Sequence, residues 1–484
     1  MFSKIIKLSV ILFLLIFTTN FAQNYNDAIR VGFPGLGSNA RALGMGNAFD
    51  ALSDDASAAY FNPAGFGLLK KLELSGGLNI NTFDNNTTFF NVQTKDNASN
   101  TSLNRISFAF PFPTYQGSLV FGLSYYKSKD LAGIIKFNGF NPNNNSWINY
   151  YANRSSDIPY ELWLSYPLYD LSNNYIKDTT LIGGDLNQSG NTLSSGSIDN
   201  WTFSGAIEVQ KNFFIGGNLT ISSGSFEMNR DYYEDDTRYL YQGETVPGNS
   251  STRDFMTFHL NQITKWDIGG WNAKIGFLYQ LEDLARFGAT IQFPKTFTID
   301  ENFSEFAASY FGSTSSYTYN YSDKVKYNII TPFELTGAAA VNLKGLILSA
   351  QATYIDYSQL EFDKADGFQD PQQFVSDNNK EIKDILTSVV NYNLGFEYTV
   401  PVIGLRLRGG FLMQPSAFKG DASDFDHKYI TGGIGYLANG VVGIDVAYAY
   451  GWWKDIGDNY GSGVSRTFQD IKSHNFMITT TYRF

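Results

Sequence analysis

The last stretch of the chain, residues 474–484, constrains the fold more than any other part of the sequence. From Phe476 to Phe484 the even-numbered positions are mostly apolar or aromatic, and the odd-numbered positions between them are mostly polar. Successive side chains of a β-strand point to opposite faces, so this alternation gives one apolar face and one polar face. A strand with one face suited to lipid and the other to an aqueous lumen is typical of a membrane β-barrel.

The first residues predict export from the cytoplasm. Lys4 and Lys7 precede an apolar run over residues 8–17, and Phe21-Ala22-Gln23 supplies a cleavage site. This layout predicts a signal peptide over residues 1–22, because the run is too short to span a bilayer. No second long apolar segment follows, and the mean hydropathy is -0.21, so no helical membrane span is expected. The chain has no cysteine, which excludes both disulfides and lipidation at a cysteine.

Composition favours a barrel and argues against other partners. Aromatic residues make up 16% of the chain, with 31 Tyr and 41 Phe. Membrane barrels place such residues in girdles at both interfaces. The net charge of -11 argues against a nucleic-acid partner, which would require a basic surface.

Residues 71–484 predict an all-β, antiparallel, up-and-down transmembrane barrel of about fourteen strands. A soluble sandwich would also alternate, but it would not need long connections on one side only and short ones on the other. A propeller would show an internal repeat, and none is evident. The short turns, predicted to be periplasmic, are at 211–212, 344–345, 401–404 and 439–440. The long segments, predicted to be extracellular loops, are near 128–198, 225–265, 299–325, 358–385 and 452–470.

Residues 23–70 do not alternate and are rich in Gly and Ala. Small residues allow close packing inside another structure, so this segment predicts a plug, or hatch, within the lumen. Asp54 or Asp55 is suited to cap a short helix over Ala56–Phe61. Pro63 should end it, because the residue before a proline is excluded from the helical region.

Two stretches of this segment carry a family resemblance. The run from Arg41 to Ala48 and the run from Asp54 to Gly65 are similar to the hatch of the FadL/TodX outer-membrane transport family. The resemblance implies a fourteen-stranded barrel that takes up long-chain fatty acids or aromatic hydrocarbons passively, by loop capture, hatch movement and lateral release. Stretches at 332–338, 348–357 and 405–411 are similar to later strands of that family. The hatch residues that the resemblance implies are Arg41, Gly44, Gly46, Asn62, Pro63, Ala64 and Gly65.

The family's lateral gap lies at a kink in its third strand. Gly117 and Gly122 flank the third strand here and predict a bulge that would serve as the gate. The chain's last residues, Tyr482 and Phe484, resemble the C-terminal signature that the barrel-assembly machinery recognises. The expected location is therefore the outer membrane of a Gram-negative bacterium, in contact with its lipid.

An alternative remains open from the same hatch residues. They also resemble related barrels that carry exported proteins to the cell surface in Bacteroidetes-type bacteria. In that case the partners would be exported proteins rather than hydrophobic small molecules.

Charged residues on the lumenal face have two interpretations. They pair across the barrel and with the hatch, or some of them, especially Arg406 and Arg408, attract the carboxylate of a ligand. The first is favoured for any one residue. The charged positions are Arg105, Glu208, Arg286, Glu334, Glu397, Arg406, Arg408 and Asp445.

Motifs for catalysis and cofactors are weak. Gly35-x-Gly37-x-x-Ala40 lacks the βαβ unit that a dinucleotide site needs, and the three histidines are far apart in sequence. Asp421, Asp424 and Asp426 crowd one loop, but no Gly turn and bidentate Glu complete a calcium site. We expect no enzyme activity, no cofactor and no metal.

Overall fold

The structure, a computed structural model, describes residues 25–312 and 314–484. The predicted signal peptide, residues 1–22, lies outside the described residues. Within them, no helix is both long and apolar enough to cross a membrane. The helices are α1 (Tyr25–Gly32), α2 (Ala40–Gly44), α3 (Trp147–Ala152), α4 (Asp157–Glu161) and α5 (Pro371–Ile385), with short 3-10 helices at Ala56–Ala59, Pro63–Leu68, Ser250–Thr252, Tyr357–Gln359 and Ser423–Phe425.

Strands make up most of the described chain. In order they are β1 (Glu73–Phe89), β2 (Val92–Phe112), β3 (Leu119–Asp130), β4 (Gly133–Asn141), β5 (Tyr166–Tyr169), β6 (Tyr175–Thr179), β7 (Leu186–Gln210), β8 (Phe213–Asp235), β9 (Phe255–Leu281), β10 (Ala285–Gln292), β11 (Thr296–Phe311), β12 (Ser316–Ile330), β13 (Glu334–Leu343), β14 (Leu346–Asp356), β15 (Glu361–Asp366), β16 (Ser388–Thr399), β17 (Leu405–Gln414), β18 (His427–Ala438), β19 (Val442–Asp458) and β20 (Arg466–Arg483).

Eighteen of these strands form one antiparallel sheet, and fourteen of the eighteen close it into a barrel. The ring runs β1-β2-β3-β7-β8-β9-β10-β13-β14-β16-β17-β18-β19-β20. It closes where β20 pairs with β1, from Arg483 opposite Glu73 to Phe468 opposite Thr88. The predicted fold class, a fourteen-stranded antiparallel barrel, is confirmed.

The alternation in the sequence sets which face of each strand looks outward. Phe476, Ile478 and Tyr482 of β20 are exposed on the outer surface, and Met477 and Thr479 between them are buried. The outer surface of the barrel is therefore the apolar one, as contact with lipid requires.

Several predicted loops are strands instead. A strand needs about 9–11 residues to cross a bilayer, whereas β9 has 27. The apolar outer band ends near Ile221 of β8, where exposed Ser223 follows on the same face. Beyond the band the outward positions become polar, while inward positions such as Phe226 and Phe258 stay apolar and buried.

The segments 225–265 and 299–325 thus contain the extracellular halves of β8, β9, β11 and β12. Their loop prediction was wrong because polar outward residues in water look like loop residues. The predicted short turns do join strands at the opposite end, and Asn212, Lys344 and Asn439 there adopt positive φ angles.

A compact cap covers the extracellular mouth. We call residues 142–185 the cap; it contains α3, α4 and the separate β5–β6 hairpin. Buried Trp147 and Leu162 of the cap pack with Tyr232 and Phe258 of the strands. The buried carboxylate of Glu234 accepts hydrogen bonds from the Trp147 backbone N–H at 2.6 Å and the Ile148 N–H at 3.3 Å. The cap is therefore held at the N-terminus of α3 by a side chain from β8.

Candidate functional site: the hatch and the lumenal cavity

Residues 25–70, called the hatch below, lie inside the barrel. Asp55 caps the 3-10 helix Ala56–Ala59 by accepting from the Ser57 N–H at 2.8 Å. The chain then turns at Asn62, and Pro63 begins a second 3-10 helix. Pro63 thus starts an element rather than only ending one, since its fixed φ suits a first helical position.

The hatch presses directly on the barrel wall at inward-facing glycines. A Cβ added at Gly216 would lie 2.4 Å from the Pro63 carbonyl carbon, and one at Gly395 would lie 2.1 Å from the Met45 oxygen. Only glycine permits such an approach of two backbones. We call this set the glycine girdle: Gly122, Gly216, Gly276, Gly288, Gly395, Gly410 and Gly433.

The hatch residues Gly44 and Gly46 meet the wall from the other side. Gly46 has a φ of +63°, and a Cβ there would lie 2.7 Å from the Leu394 oxygen and the Phe411 nitrogen. A Cβ on Gly44 would come within 3.2 Å of Gly433. Both positions are therefore restricted by contact with the wall.

The Asn62-Pro63-Ala64-Gly65 turn fastens the hatch to β9. Asn62 donates to the Phe277 oxygen at 2.9 Å and the Asp50 oxygen at 3.1 Å, and accepts from the Ala64 N–H at 3.0 Å. Gly65 lies so close to Ser53 that a Cβ would be 2.1 Å from its oxygen. Each residue of this turn has a packing or hydrogen-bonding requirement.

A buried charge network joins the hatch to the opposite wall. Arg41 forms a two-pronged contact with Glu397, at 2.9 and 3.1 Å, and also pairs with Asp54. Arg408 donates from Nε to the same Glu397 at 2.7 Å, and its Nη1 forms an ion pair with the Asp445 carboxylate at 2.7 Å. Buried charges need such partners, since an unpaired one costs several kcal/mol, roughly 3–5.

Arg408 is therefore paired with carboxylates of the barrel wall. Of the two interpretations of the lumenal charges, pairing within the protein applies to this residue. Arg406 lies opposite Thr399 and Gly435, near the periplasmic turn. Neither arginine lines the cavity above the hatch. Of the other predicted charges, Arg286 pairs with Asp54 and Glu334 pairs with Lys295.

The irregularity of the third barrel strand lies away from the predicted glycines. Gly122 pairs in register with both neighbours, opposite Ala109 and Ser204. Gly117 lies in the preceding turn with a φ of +71°. The bulge is instead at Ser128, which is skipped between Lys127 and Lys129 in the pairing with β7.

Pairing between β2 and β3 ends just before this bulge, at Arg105 opposite Tyr126. Beyond it β4 pairs only with β7, and the side chains of Asn85 and Thr87 from β1 donate to β4 carbonyls. β4, which continues the third barrel strand, thus runs on the lumenal side of the β1–β2 hairpin. At this height the backbone pairing between β2 and β3 has ended, and we call the gap between them the seam.

The hatch covers the inner side of this seam. A Cβ on Gly35 would lie 2.1 Å from the Ser128 oxygen, and the Lys129 ammonium donates to the Phe33 oxygen at 2.6 Å. Residues 33–35 and 128–129 therefore form a direct contact between the hatch and the bulge.

Above the hatch lies a cavity of about 140 Å³. It extends to Ser128 and Lys129 at the seam, and its floor includes Tyr60 and Phe61 of the hatch. On its extracellular side, α1 packs Ala28 and Val31 into a cluster of buried aromatic and aliphatic side chains. The cavity thus lies between this apolar cluster, the hatch and the seam.

The acidic loop after β17 has its carboxylates occupied. Asp421 accepts from the Ser416 hydroxyl, Asp426 accepts from the Ser416 N–H, and Asp424 pairs with Lys454. Among the described residues no group of His, Cys, Asp and Glu has the arrangement of a metal site.

The C-terminal aromatics face outward. Tyr482 and Phe484 are exposed, with ring centroids 4.8 Å apart, and the Phe484 N–H donates to the Leu72 oxygen. The end of the last strand is thus tied to the start of the first. Its recognition by assembly machinery remains a prediction.

Comparison with solved structures identifies the fold. A FadL homologue from Pseudomonas aeruginosa is 14% identical, with a TM-score of 0.58 over 94% of this chain and 100% of that one. The toluene transporter TodX of Pseudomonas putida is 12% identical, with a TM-score of 0.54 over 93% and 99%. CymD, a monoaromatic hydrocarbon channel, is 13% identical, with a TM-score of 0.51 over 93% and 98%.

The chain therefore has a FadL/TodX-type barrel fold, and the resemblance found in the sequence is confirmed at that level. No family model and no curated protein sequence matches the chain. Two of the three solved structures are named as a transporter and a channel, and at these identities the likeness shows the fold alone.

Sequence reasoning missed the bulge and the cavity. Lys127-Ser128-Lys129 is polar and was assigned to the start of a loop. The cavity residues come from many strands and have no common motif. No sequence signal marks the bulge, since residues 127–130 are all polar and show no alternation that could shift.

Proposed function

We propose that this protein is an outer-membrane channel for the passive uptake of hydrophobic compounds. The contact of hatch residues 33–35 with the bulge at Ser128 carries the proposal. It connects the cavity, the hatch and the seam at one place, so a small shift of the hatch would join the cavity to the membrane. The solved structures named as FadL and toluene transport proteins support the same class of substrate.

A lateral exit agrees with the physics of an apolar solute. Such a molecule gains about 25 cal/mol for each Å² of apolar surface that it removes from water. Release sideways into lipid keeps that gain, whereas passage through the hatch into the periplasm would lose it. Transport down a concentration gradient then needs no energy source.

Deletion of Ser128 tests this route. Removal of the skipped residue should restore regular pairing of β3 with β7 and close the seam, because a bulge is one extra residue on one strand. We expect the deletion to abolish uptake of radiolabelled toluene and oleate by cells that have no other importer for them.

Deletion of Val209 is the matched control. Val209 is skipped in the pairing of β7 with β8, on the periplasmic side and away from the seam. The Val209 deletion should leave uptake unchanged. Both deletion variants should show the heat-modifiable electrophoretic mobility of a folded barrel. Full uptake by a folded Ser128 deletion would contradict the proposal, and copurification of an exported protein with the native barrel would favour the secretion alternative.

A further inference from the structure

The lining of the cavity is more polar than a hydrocarbon site requires. Carboxamide side chains from six different strands line it, together with Ser and Thr hydroxyls. We call the following set the amide belt: Asn200, Asn272, Gln351, Asn391, Asn393 and Gln414.

Each member of the belt has at least one amide group without a partner among the described residues. The Asn200 oxygen accepts from Ser222 at 2.7 Å, and the Gln351 oxygen accepts from the Phe49 and Asp50 N–H groups. Their NH₂ groups have no acceptor in the described part of the chain. The belt therefore offers free donors.

Free acceptors lie on the same belt. Asn393 uses its NH₂ on the Gly46 oxygen at 2.7 Å, and Gln414 uses its own on the Pro34 oxygen at 3.4 Å. Their side-chain oxygens, and both groups of Asn391, have no hydrogen-bond partner among the described residues.

The cations of the cavity are already engaged. Lys295 pairs with Glu334 at 2.6 Å, Lys274 donates to the Tyr60 oxygen at 2.7 Å, and Lys129 donates to the Phe33 oxygen. The carboxylates of Glu334 and Asp50 line the same cavity and would repel a further anion. A neutral group that both donates and accepts meets no such repulsion.

An apolar wall completes the site. Phe33, Phe61, Phe297 and Leu412 line the same cavity. A plain hydrocarbon would strip water from the belt and leave its amides unpaired, which is unfavourable.

We infer that the cavity binds neutral hydroxyl-bearing hydrophobic molecules, such as phenols, with the hydroxyl on the amide belt and the apolar body against the aromatic wall. The inference rests on the proposed uptake function and narrows its substrate class. Aromatic hydrocarbons and carboxylates should bind less well, because the first lack a hydrogen-bonding group and the second lack a donor.

Three probes that share a methyl-substituted ring test the inference: toluene, 4-methylphenol and 4-methylbenzoate, which carry hydrogen, a hydroxyl and a carboxylate opposite the methyl group. Equilibrium dialysis with the purified barrel in nanodiscs should show 4-methylphenol bound at least about tenfold more tightly than the other two, which is the effect of one or two added hydrogen bonds. Asn391→Leu should reduce this preference to about twofold or less. If Asn391→Leu does not assemble, Asn200→Leu replaces it.

Asn475→Leu is the control, since Asn475 is a buried, inward-facing amide of β20 that does not line the cavity. It should keep the full preference. Equal binding of toluene and 4-methylphenol, or tighter binding of 4-methylbenzoate, would overturn the inference about the substrate class. The proposed uptake function would not be affected by that result. Failure of all three probes to bind, together with absent uptake of toluene and oleate, would instead remove the proposed function.

Discussion

Substitution of Glu234 by Gln should make the extracellular cap insensitive to pH. Glu234 lies on the part of β8 beyond the apolar band and is fully buried. Burial raises its pKa from 4.5 to about 7, although hydrogen bonds from the Trp147 N–H and the Tyr232 hydroxyl lower it in part. The capped state therefore binds a proton more tightly than an open state in which Glu234 meets water.

The sign and size follow from linkage between protonation and stability. A group whose pKa is raised in the closed state stabilises that state below its ordinary pKa, and this stabilisation is lost as the pH rises through the raised value. For Glu234 the loss between pH 5 and pH 8 is about 2.5 kcal/mol, at about 1.36 kcal/mol per pH unit. The equilibrium for opening of the cap should then increase roughly seventyfold over this range.

Hydrogen exchange of the α3 amides measures this opening. After correction for the intrinsic pH dependence of exchange, protection over Trp147–Ala152 should fall between pH 5 and pH 8 in the wild-type protein. Glu234→Gln keeps the acceptor oxygen without the charge, so its protection should stay constant. Glu244→Gln, in a surface ion pair with Arg253, is the control and should behave like wild type. Equal pH trends in wild type and Glu234→Gln would refute the reasoning.

Three other substitutions test the hatch and the barrel end. Gly46→Ala should raise the ion conductance of the barrel in planar bilayers, because its Cβ would meet wall backbone at 2.7 Å; Gly440→Ala, with a similar φ and nothing within 4 Å, should not. Arg41→Met should destabilise the hatch by about 3–5 kcal/mol, measured by urea-dependent hydrogen exchange, whereas Arg253→Met at an exposed pair should cost less than about 1 kcal/mol. Phe484→Ser should lower the fraction of heat-modifiable barrel in membranes, and an unchanged fraction would argue against a role in assembly.

The barrel could be predicted from sequence where one face of a strand meets lipid. In β19 the predicted alternation of Val442, Ile444 and Tyr448 with Gly443 and Ala447 agrees with the observed exposure. Lipid imposes an apolar outer face, and the lumen permits small or polar residues on the other. The two-residue period of apolar side chains therefore appears directly in the sequence.

Beyond the membrane that constraint disappears. The outer face of β8 and β9 is then polar like a loop, and only the inward positions, such as Tyr232 and Phe258, keep a pattern. The predicted loops were too long for this reason. The position of the cap could not be predicted either, because it depends on contacts between residues far apart in sequence, such as Trp147 with Glu234.

The hatch was predicted as a segment, but the residues of the barrel wall that it contacts were not. Gly216, Gly276 and Gly395 look in sequence like ordinary bends of a strand, and their role depends on which hatch atom lies opposite. The bulge at Ser128 likewise depends on pairing with Asp199 and Ile198, which sequence spacing alone does not give.

The glycine girdle affects how the hatch can move. Interlocked side chains resist sliding, since one must leave its pocket before the other can pass. At the girdle one partner of each contact has no side chain, so the surfaces that meet are nearly smooth. The position of the hatch is therefore fixed mainly by directed contacts, such as the ion pairs of Arg41 and the hydrogen bonds of Asn62. The hatch movement that we propose would have to release these directed contacts, but it would not have to separate interlocked side chains.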